Sequence, residues 1–477
     1  INNGYHTMTD NRLEPYNSPY GKSALAIPEL QALLGDKLVL SQAVRDQHGG
    51  GEVTYHTNMA PDAVAFAHST DQVSEIVKIC AKHAVPIVPY GAGSSLEGQV
   101  SAVEGGICID LSEMNHVIQL NTDDLDVTVG AGLTRQELNV YLRESGLFFP
   151  IDPGAEATLA GMAATRASGT NAVRYGTMRD NVINMTVVMP DGEVIKTGGR
   201  AKKSSAGYDL ARLMIGSEGT LGIITELTVK LYGIPEKILS AVCSFESIQK
   251  ACEAVILTIQ SGVPVARIEL LDEVQVGACN NYSKLDLKVE PTLFLEFHGS
   301  ENHCAEQVEF FKDIASEFGS DNFKAAAKTE DRNLLWKARH DAYWAGCDLA
   351  PGMAHLSTDV CVPISNFADC VTETKQDIID SGLIGPIVGH AGDGNFHVLV
   401  SFDENSDEDN EKVKHFLDRL ATRALEYEGT CTGEHGIGLG KAKYMFAEHG
   451  AGVNYMFALK KAIDPQNIMN PGKIFYG

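Results

Sequence analysis

Tyr90-Gly91-Ala92-Gly93-Ser94-Ser95-Leu96-Glu97-Gly98 decides the fold class through what stands on either side of it. The apolar segment Val85-Pro86-Ile87-Val88-Pro89 leads in and reads as a short strand. Glycines and small hydroxyls after a strand leave backbone N–H groups uncovered, and such a loop can cradle a phosphate or pyrophosphate. The spacing is GxGxxxxG, which is not the dinucleotide fingerprint. No crossover helix follows either; three strand-like runs do, at 107–111, 117–120 and 126–129. A doubly wound dinucleotide fold is therefore not expected. Alone, such a loop is more often only a turn.

Working outward, helical spacing is clear on the N-terminal side. Residues 27–34 form a short helical stretch. Ser69 with Gln72 makes a capping box ahead of Val73, Ile76, Val77 and Cys80. On the C-terminal side, Thr134 with Glu137 opens a second capped helix through 141–142. Pro150-Ile151-Asp152-Pro153-Gly154 then leads into a tract of small residues, 155–170. A tract so poor in bulk serves either tight helix packing or backbone laid flat against a planar ligand. A hairpin follows, 185–189 and 194–196 around Pro190-Asp191-Gly192. The run Gly216-Ser217-Glu218-Gly219-Thr220-Leu221-Gly222 enters a strand at 223–231. Beyond Pro235 the text changes, and from 239 strands alternate with amphipathic helices, as in 251–260, 265–271 and 292–297. The acidic run 403–411 reads as a solvated surface loop.

A chain of 477 residues is too long for one core, so two or three domains are expected. A formal net charge of −25 argues against nucleic acid and anionic membranes as partners, yet leaves room for a small anionic substrate in a local basic pocket. No apolar run approaches the roughly 20 residues of a transmembrane helix. No positive-then-apolar opening marks a signal peptide. The ten cysteines contain no CxxC, which excludes an iron–sulfur relay of that kind and points to a reducing compartment. A bacterial cytoplasm is the expectation, peripheral to the membrane as a variant, with a trimmed mitochondrial protein as the alternative.

Gly389-His390-Ala391-Gly392-Asp393-Gly394-Asn395-Phe396-His397 reads as strand, tight turn, strand, which can bring both imidazoles to one side. That is half of a metal site, or two hydrogen-bonded histidines beside a turn. The residues alone leave both open.

The ordered set of the 91–98 loop, the 152–169 tract and GYDLARLMIGSEGTLGIITELTVKL (207–231) resembles the vanillyl-alcohol oxidase / p-cresol methylhydroxylase flavoproteins. With GHAGDGNFH, GEHGIGLGK (433–441) and DPQNIMNPGKIF (464–475) added, the chain is similar to the D-2-hydroxyacid dehydrogenase branch. That branch includes cytochrome-linked D-lactate dehydrogenases, glycolate oxidase D subunits and D-2-hydroxyglutarate dehydrogenases. The resemblance implies an α+β fold, a split FAD-binding domain of the p-cresol methylhydroxylase type with an inserted α+β cap. The implied divisions are 1–236 for the FAD domain, 237–427 for the cap or substrate domain, and 428–477 for a segment completing the FAD domain and active site.

For the cofactor, the resemblance implies that Pro89, Tyr90, Gly91, Ala92, Gly93, Ser94, Ser95 and Leu96 meet the pyrophosphate. Pro153, Gly154, Thr158, Gly161, Ser168, Gly169 and Ile224 would meet the isoalloxazine and ribityl groups, and Glu218, Gly222 and Asn470 complete the FAD site. Members that bind flavin covalently often carry a histidine in the first loop; here it reads Gly93-Ser94-Ser95, so noncovalent FAD is expected. For the chemistry, the resemblance implies a divalent metal on His390, His397 and Glu434, zinc first and manganese second on ligand type. It gives His435 as the base, Arg339 as the carboxylate clamp, and Tyr343 with His397 at the substrate. Ser357 stands where dicarboxylate-specific members carry a lysine. D-Lactate is therefore the expected substrate, ahead of D-2-hydroxyglutarate or glycolate, with a non-catalytic flavin-binding subunit as the reading from another class. Electrons would leave to an external cytochrome, quinone or electron-transfer flavoprotein. A homodimer is left open.

Overall fold

The computed structural model describes residues 20–51, 54–326 and 328–475, so the start of the expected first domain, 1–19, lies outside the described residues. Strands β1 (Ala63–Phe66), β2 (Ile87–Tyr90) and β3 (Ile107–Asp110) form a parallel sheet with β3 in the middle. Leu38–Val39 adds an antiparallel edge. Helix α1 (Thr70–Lys82) starts where Ser69 accepts the backbone N–H of Gln72, and buries Val73, Ile76, Val77 and Cys80 on one face. The Gln72 side chain accepts from the N–H of His68, one residue outside the expected capping box. The Gly-rich loop leaves the C-terminal end of β2, the edge at which open parallel sheets offer a ligand crevice.

A second sheet, antiparallel throughout, carries Val117–Asn121, Asp126–Gly130, β4 (Ile223–Lys230), Val182–Val188 and Val194–Lys196 in that spatial order. Short α2 (Leu159–Thr165) is capped by Thr158 and packs its small residues toward β4. One apolar core joins both sheets, and it includes Ile468 and Met469 from the far C-terminus. The tail is stitched in by backbone: Ile87 N–H donates to Ile468, and Asn470 N–H donates to Ile87.

Between β4 and that tail lies a larger antiparallel sheet. It contains β5 (Lys237–Ser244), β6 (Arg267–Leu271), β7 (Thr292–Gly299), β8 (Ala354–Ser357), β9 (Ile387–His390) and β10 (Asn395–Phe402). Its spatial order is Lys324–Ala326, β5, β7, β6, β9, β10, β8, with Val360–Cys361 paired to β10 off the main path. One face packs helices in a core with Phe245, Phe297, Phe311, Phe367, Phe396 and Phe416. The opposite face carries a smaller cluster around Trp336, supplied by α3 (Thr329–His340) and α4 (Ala342–Cys347). The result is the expected α+β class.

The acidic run departs from its expected loop. Only its first residues are turn; Ser406 caps α5 (Asp407–Glu426), whose first turn holds Asp407, Glu408 and Asp409. Carboxylates there sit against the positive end of the helix dipole, so the charge run starts a helix. All ten cysteines are free thiols, eight of them buried. Among the described residues no helix is long and apolar enough to cross a membrane.

Candidate active site

β9 ends at His390, the short turn Ala391–Asp393 reverses the chain, and Gly394 takes φ +74° before β10 brings in His397. Only glycine adopts that φ without strain. The two buried rings meet edge to face, 5.5 Å between centroids at 82°. Glu434 comes from a distant loop and sets Oε1 at 3.2 Å from His390 Nε2 and 3.4 Å from His397 Nε2. The remaining ring nitrogens are committed: His390 Nδ1 donates to Glu269 at 2.9 Å, and His397 Nδ1 donates to the Thr358 carbonyl at 2.8 Å. Each Nε2 is thereby turned toward Glu434, the arrangement that second partners impose on metal-binding histidines.

Burial opposes charge here, yet His390 and His397 hold the Glu434 carboxyl well below the ordinary range. Burial would lower the His390 imidazole too, but Glu269 and Glu434 lift it well above its usual value. Two carboxylates against one imidazole call for positive charge at this point. Glu434 Oε2 is buried without a hydrogen-bond partner. The ligand atoms of His390, His397 and Glu434 all lie within 4.8 Å of one another. Two imidazoles and one carboxylate with positions left open fit a divalent cation.

Arg339 lies in the last turn of α3, buried, and its Nη2 donates to Glu269 Oε2. Its Nε has no partner. Glu269 faces His390 directly in the β6–β9 register and so serves both groups. Burial acts against its charge, but His390 and Arg339 outweigh it and hold the carboxyl below its usual value. His435 stacks on His397, and burial pushes its imidazole down, which keeps it neutral and able to take a proton. Its Nδ1 has no partner. The backbone N–H groups of Glu434 and His435 both donate to Asp359 Oδ2 at 2.9 Å, and Thr432 Oγ1 donates to the same atom at 2.7 Å.

Arg339, His390, His397, Glu434 and His435 line a cleft of about 580 Å³. The loop Pro89, Tyr90, Gly91, Ala92, Gly93, Ser94, Ser95 and Leu96 lines the same cleft, as do Pro153, Gly154, Thr158 and Gly161. Glu218, Gly222, Ile224 and Asn470 line it as well. The volume suits a cofactor, since such sites span roughly 300–1,000 Å³. Two details favour an anionic, flat guest. Ser95 Oγ is buried in the loop without a partner, and a side chain added at Gly154 would meet nothing within 4 Å.

Ser168 and Gly169, expected at the cofactor, are not among the residues that line the cleft, whereas Ala167 and Thr170 are. A Cβ on Gly169 would lie 2.4 Å from the Asp152 carbonyl oxygen, so the glycine seats the Asp152 turn while Thr170 reaches the cleft. The Glu218 carboxylate, raised to about 7 by burial, accepts from the N–H groups of Ile437 and Gly438 and clasps the C-terminal loop. Tyr343 lines the cleft beside Trp344, edge to face at 5.1 Å, and Val388, Leu399 and Ser357 line it too.

Sequence reasoning passed over Glu269, Asp359 and Trp344. Glu269 did leave a trace, a lone carboxylate inside the apolar run Ile268-Glu269-Leu270-Leu271. Asp359 left none, because its donors arrive from residues 395 and 432–435.

A sequence profile for FAD linked oxidases, C-terminal domain, matches residues 234–474, and one for an FAD binding domain matches 61–198. The chain is 51% identical over 453 residues to "Probable D-lactate dehydrogenase, mitochondrial" of Danio rerio, covering 94% of this chain and 91% of that protein. It is 46% identical over 450 residues to "D-lactate dehydrogenase [cytochrome], mitochondrial" of Arabidopsis thaliana, covering 94% of this chain and 79% of that protein. A solved structure of p-cresol methylhydroxylase with substrate bound matches at a TM-score of 0.76 and 17% identity, over 97% of this chain and 98% of that one. At that identity the likeness speaks for the fold, which is of the p-cresol methylhydroxylase type.

Proposed function

The chain belongs to the FAD-linked oxidase family, and on that premise we propose that it is an FAD-dependent D-lactate dehydrogenase with a divalent cation held by His390, His397 and Glu434. One observation carries the reading. An arginine with an unpartnered Nε, a buried imidazole with an unpartnered Nδ1 and a His–His–Glu cluster line the same cleft as a Gly-rich loop.

Arg339 binds the substrate carboxylate through its planar fork, already oriented by Glu269. His435 takes the hydroxyl proton, and burial keeps it unprotonated beforehand. Asp359 fixes the backbone of Glu434 and His435 together, so donor and base keep one geometry. Tyr343 and Trp344 supply aromatic surface to the cleft for the substrate side chain. Bound in the cleft, FAD supplies the acceptor for the hydride leaving C2, and the cation, zinc or manganese, supplies the Lewis acidity that eases loss of the hydroxyl proton.

Ser357 on the wall supports a monocarboxylate. A second carboxylate buried there would lack a cation, at a cost of several kcal/mol. The domain reading follows the same lines: 1–236 and 428–477 together hold FAD, and 237–427 brings Arg339, His390 and His397 over it. Electrons leave to an external acceptor, and the name of the Arabidopsis relative supports a cytochrome over a quinone or an electron-transfer flavoprotein. Both relatives are named as mitochondrial, which favours the mitochondrial alternative over the bacterial cytoplasm. Anaerobic bleaching of the flavin by a panel of D-lactate, glycolate and D-2-hydroxyglutarate tests the substrate. D-Lactate should bleach fastest; faster bleaching by D-2-hydroxyglutarate would move the assignment within the family, and no bleaching by any would leave a non-catalytic flavin protein.

A further inference from the structure

We propose that Arg267 is a positioning residue for the oxidation step, holding the flavin-side turn 150–153 at a set distance from β6, whose Glu269 grips the substrate clamp Arg339. The proposal rests on the D-lactate reading of the cleft.

Along β6, Ile268 and Leu270 enter the helix-side core, so by strand alternation Arg267 and Glu269 share the opposite face. Same-face neighbours on a strand stand roughly 7 Å apart. Glu269 grips Arg339 and His390, the substrate side of the cleft. Arg267 grips the other side: Nη2 donates to Asp152 Oδ2 at 3.1 Å, and Nε donates to Asn171 Oδ1 at 3.0 Å. Its guanidinium lies 4.6 Å from the centre of the Trp336 ring, with Glu296, its cross-strand partner, at 3.7 Å.

Beyond Arg267 the turn is tied to itself. Asp152 accepts from Thr170 Oγ1 at 2.7 Å and from Asn171 N–H at 3.0 Å, and Asn171 Nδ2 donates to the Pro150 carbonyl at 2.9 Å. Asp152, Pro153 and Gly154 line the cleft. Two residues of one strand therefore join both reacting partners. In the oxidation, C2 loses a hydride to FAD and its hydroxyl proton to His435, while Arg267 exchanges nothing. What it supplies is distance, and about 1 Å of misplacement can cost ~10²-fold in rate. A guanidinium that forks to two acceptors and stacks on a ring cannot be replaced by an ammonium.

Arg267→Lys keeps the charge beside Asp152 and Glu296 and loses the fork and the stack. In the holoenzyme, FAD and metal content should match wild type and the Michaelis constant for D-lactate should stay within about threefold. The rate constant of anaerobic flavin reduction should fall ~10–100-fold, with a full primary isotope effect from C2-deuterated D-lactate. Amide hydrogen exchange across 150–153 and 169–171 should accelerate. Asp152→Asn, which removes the charge that Arg267 grips, should give the same split and decides the matter if the lysine variant does not fold. Reduction within threefold of wild type in the folded variants, or a loss that only tracks loss of FAD, would overturn the proposal. If D-lactate fails to bleach the wild type, the functional reading falls instead, and the exchange comparison alone decides whether Arg267 holds the turn.

Discussion

The imidazoles of His397 and His435 lie nearly parallel, with 13° between their planes and 5.1 Å between centroids. A ring that faces the Glu434 carboxylate and a ring free to accept a proton are thus stacked as one unit. Replacing His435 by Gln keeps a polar group of similar reach and removes the base. Flavin reduction by D-lactate should slow ~10²–10⁴-fold with FAD content and Michaelis constant near wild type. Stopped-flow absorbance reads this directly, and a loss under tenfold would remove His435 from the mechanism.

Arg339→Lys retains a cation opposite Glu269 but gives up the bidentate fork. The Michaelis constant for D-lactate should rise at least tenfold, about 1.4 kcal/mol of substrate binding, with metal and flavin retained. Steady-state kinetics against D-lactate concentration check it; an unchanged constant ends the clamp assignment.

Glu269 is not among the residues that line the cleft, yet it hydrogen-bonds His390 Nδ1 and Arg339 Nη2. Glu269→Gln should weaken metal binding ~10–100-fold, the usual cost of losing a histidine's outer partner. Like Arg339→Lys it should raise the Michaelis constant; unlike that change, it should loosen the metal as well. Metal titration of the chelated protein separates the two effects.

The Gly-rich loop presents Gly93-Ser94-Ser95 and no histidine. Acid precipitation should therefore release all the flavin into the supernatant, measured by its absorbance. A yellow pellet would mean a covalent link elsewhere in the cleft.

Much of this was legible in the chain, for local reasons. GHAGDGNFH reads as strand, turn, strand because alternation and a positive-φ glycine are both written within nine residues. Ser69 and Thr134 announce their helices in the same way. Glu269 could not be placed, because its value depends on β6 pairing with β9 across more than a hundred residues. The 155–170 tract showed that backbone packs closely there but not which residues line the cleft: Ala167 and Thr170 do, and the close approach at Gly169 is to the Asp152 backbone. The acidic run carried a readable signal that net charge outweighed: Ser406 followed by three carboxylates is a helix start.

The central claim is that a cation held by His390, His397 and Glu434 serves D-lactate oxidation on FAD. Anaerobic stopped-flow reduction with D- and L-lactate, before and after chelation and with zinc or manganese restored, tests it most directly. D-Lactate, and not L-lactate, should bleach the flavin rapidly; chelation should abolish bleaching with FAD still bound, and adding the metal back should restore it. Bleaching that continues at its original rate once metal analysis reads zero would contradict it.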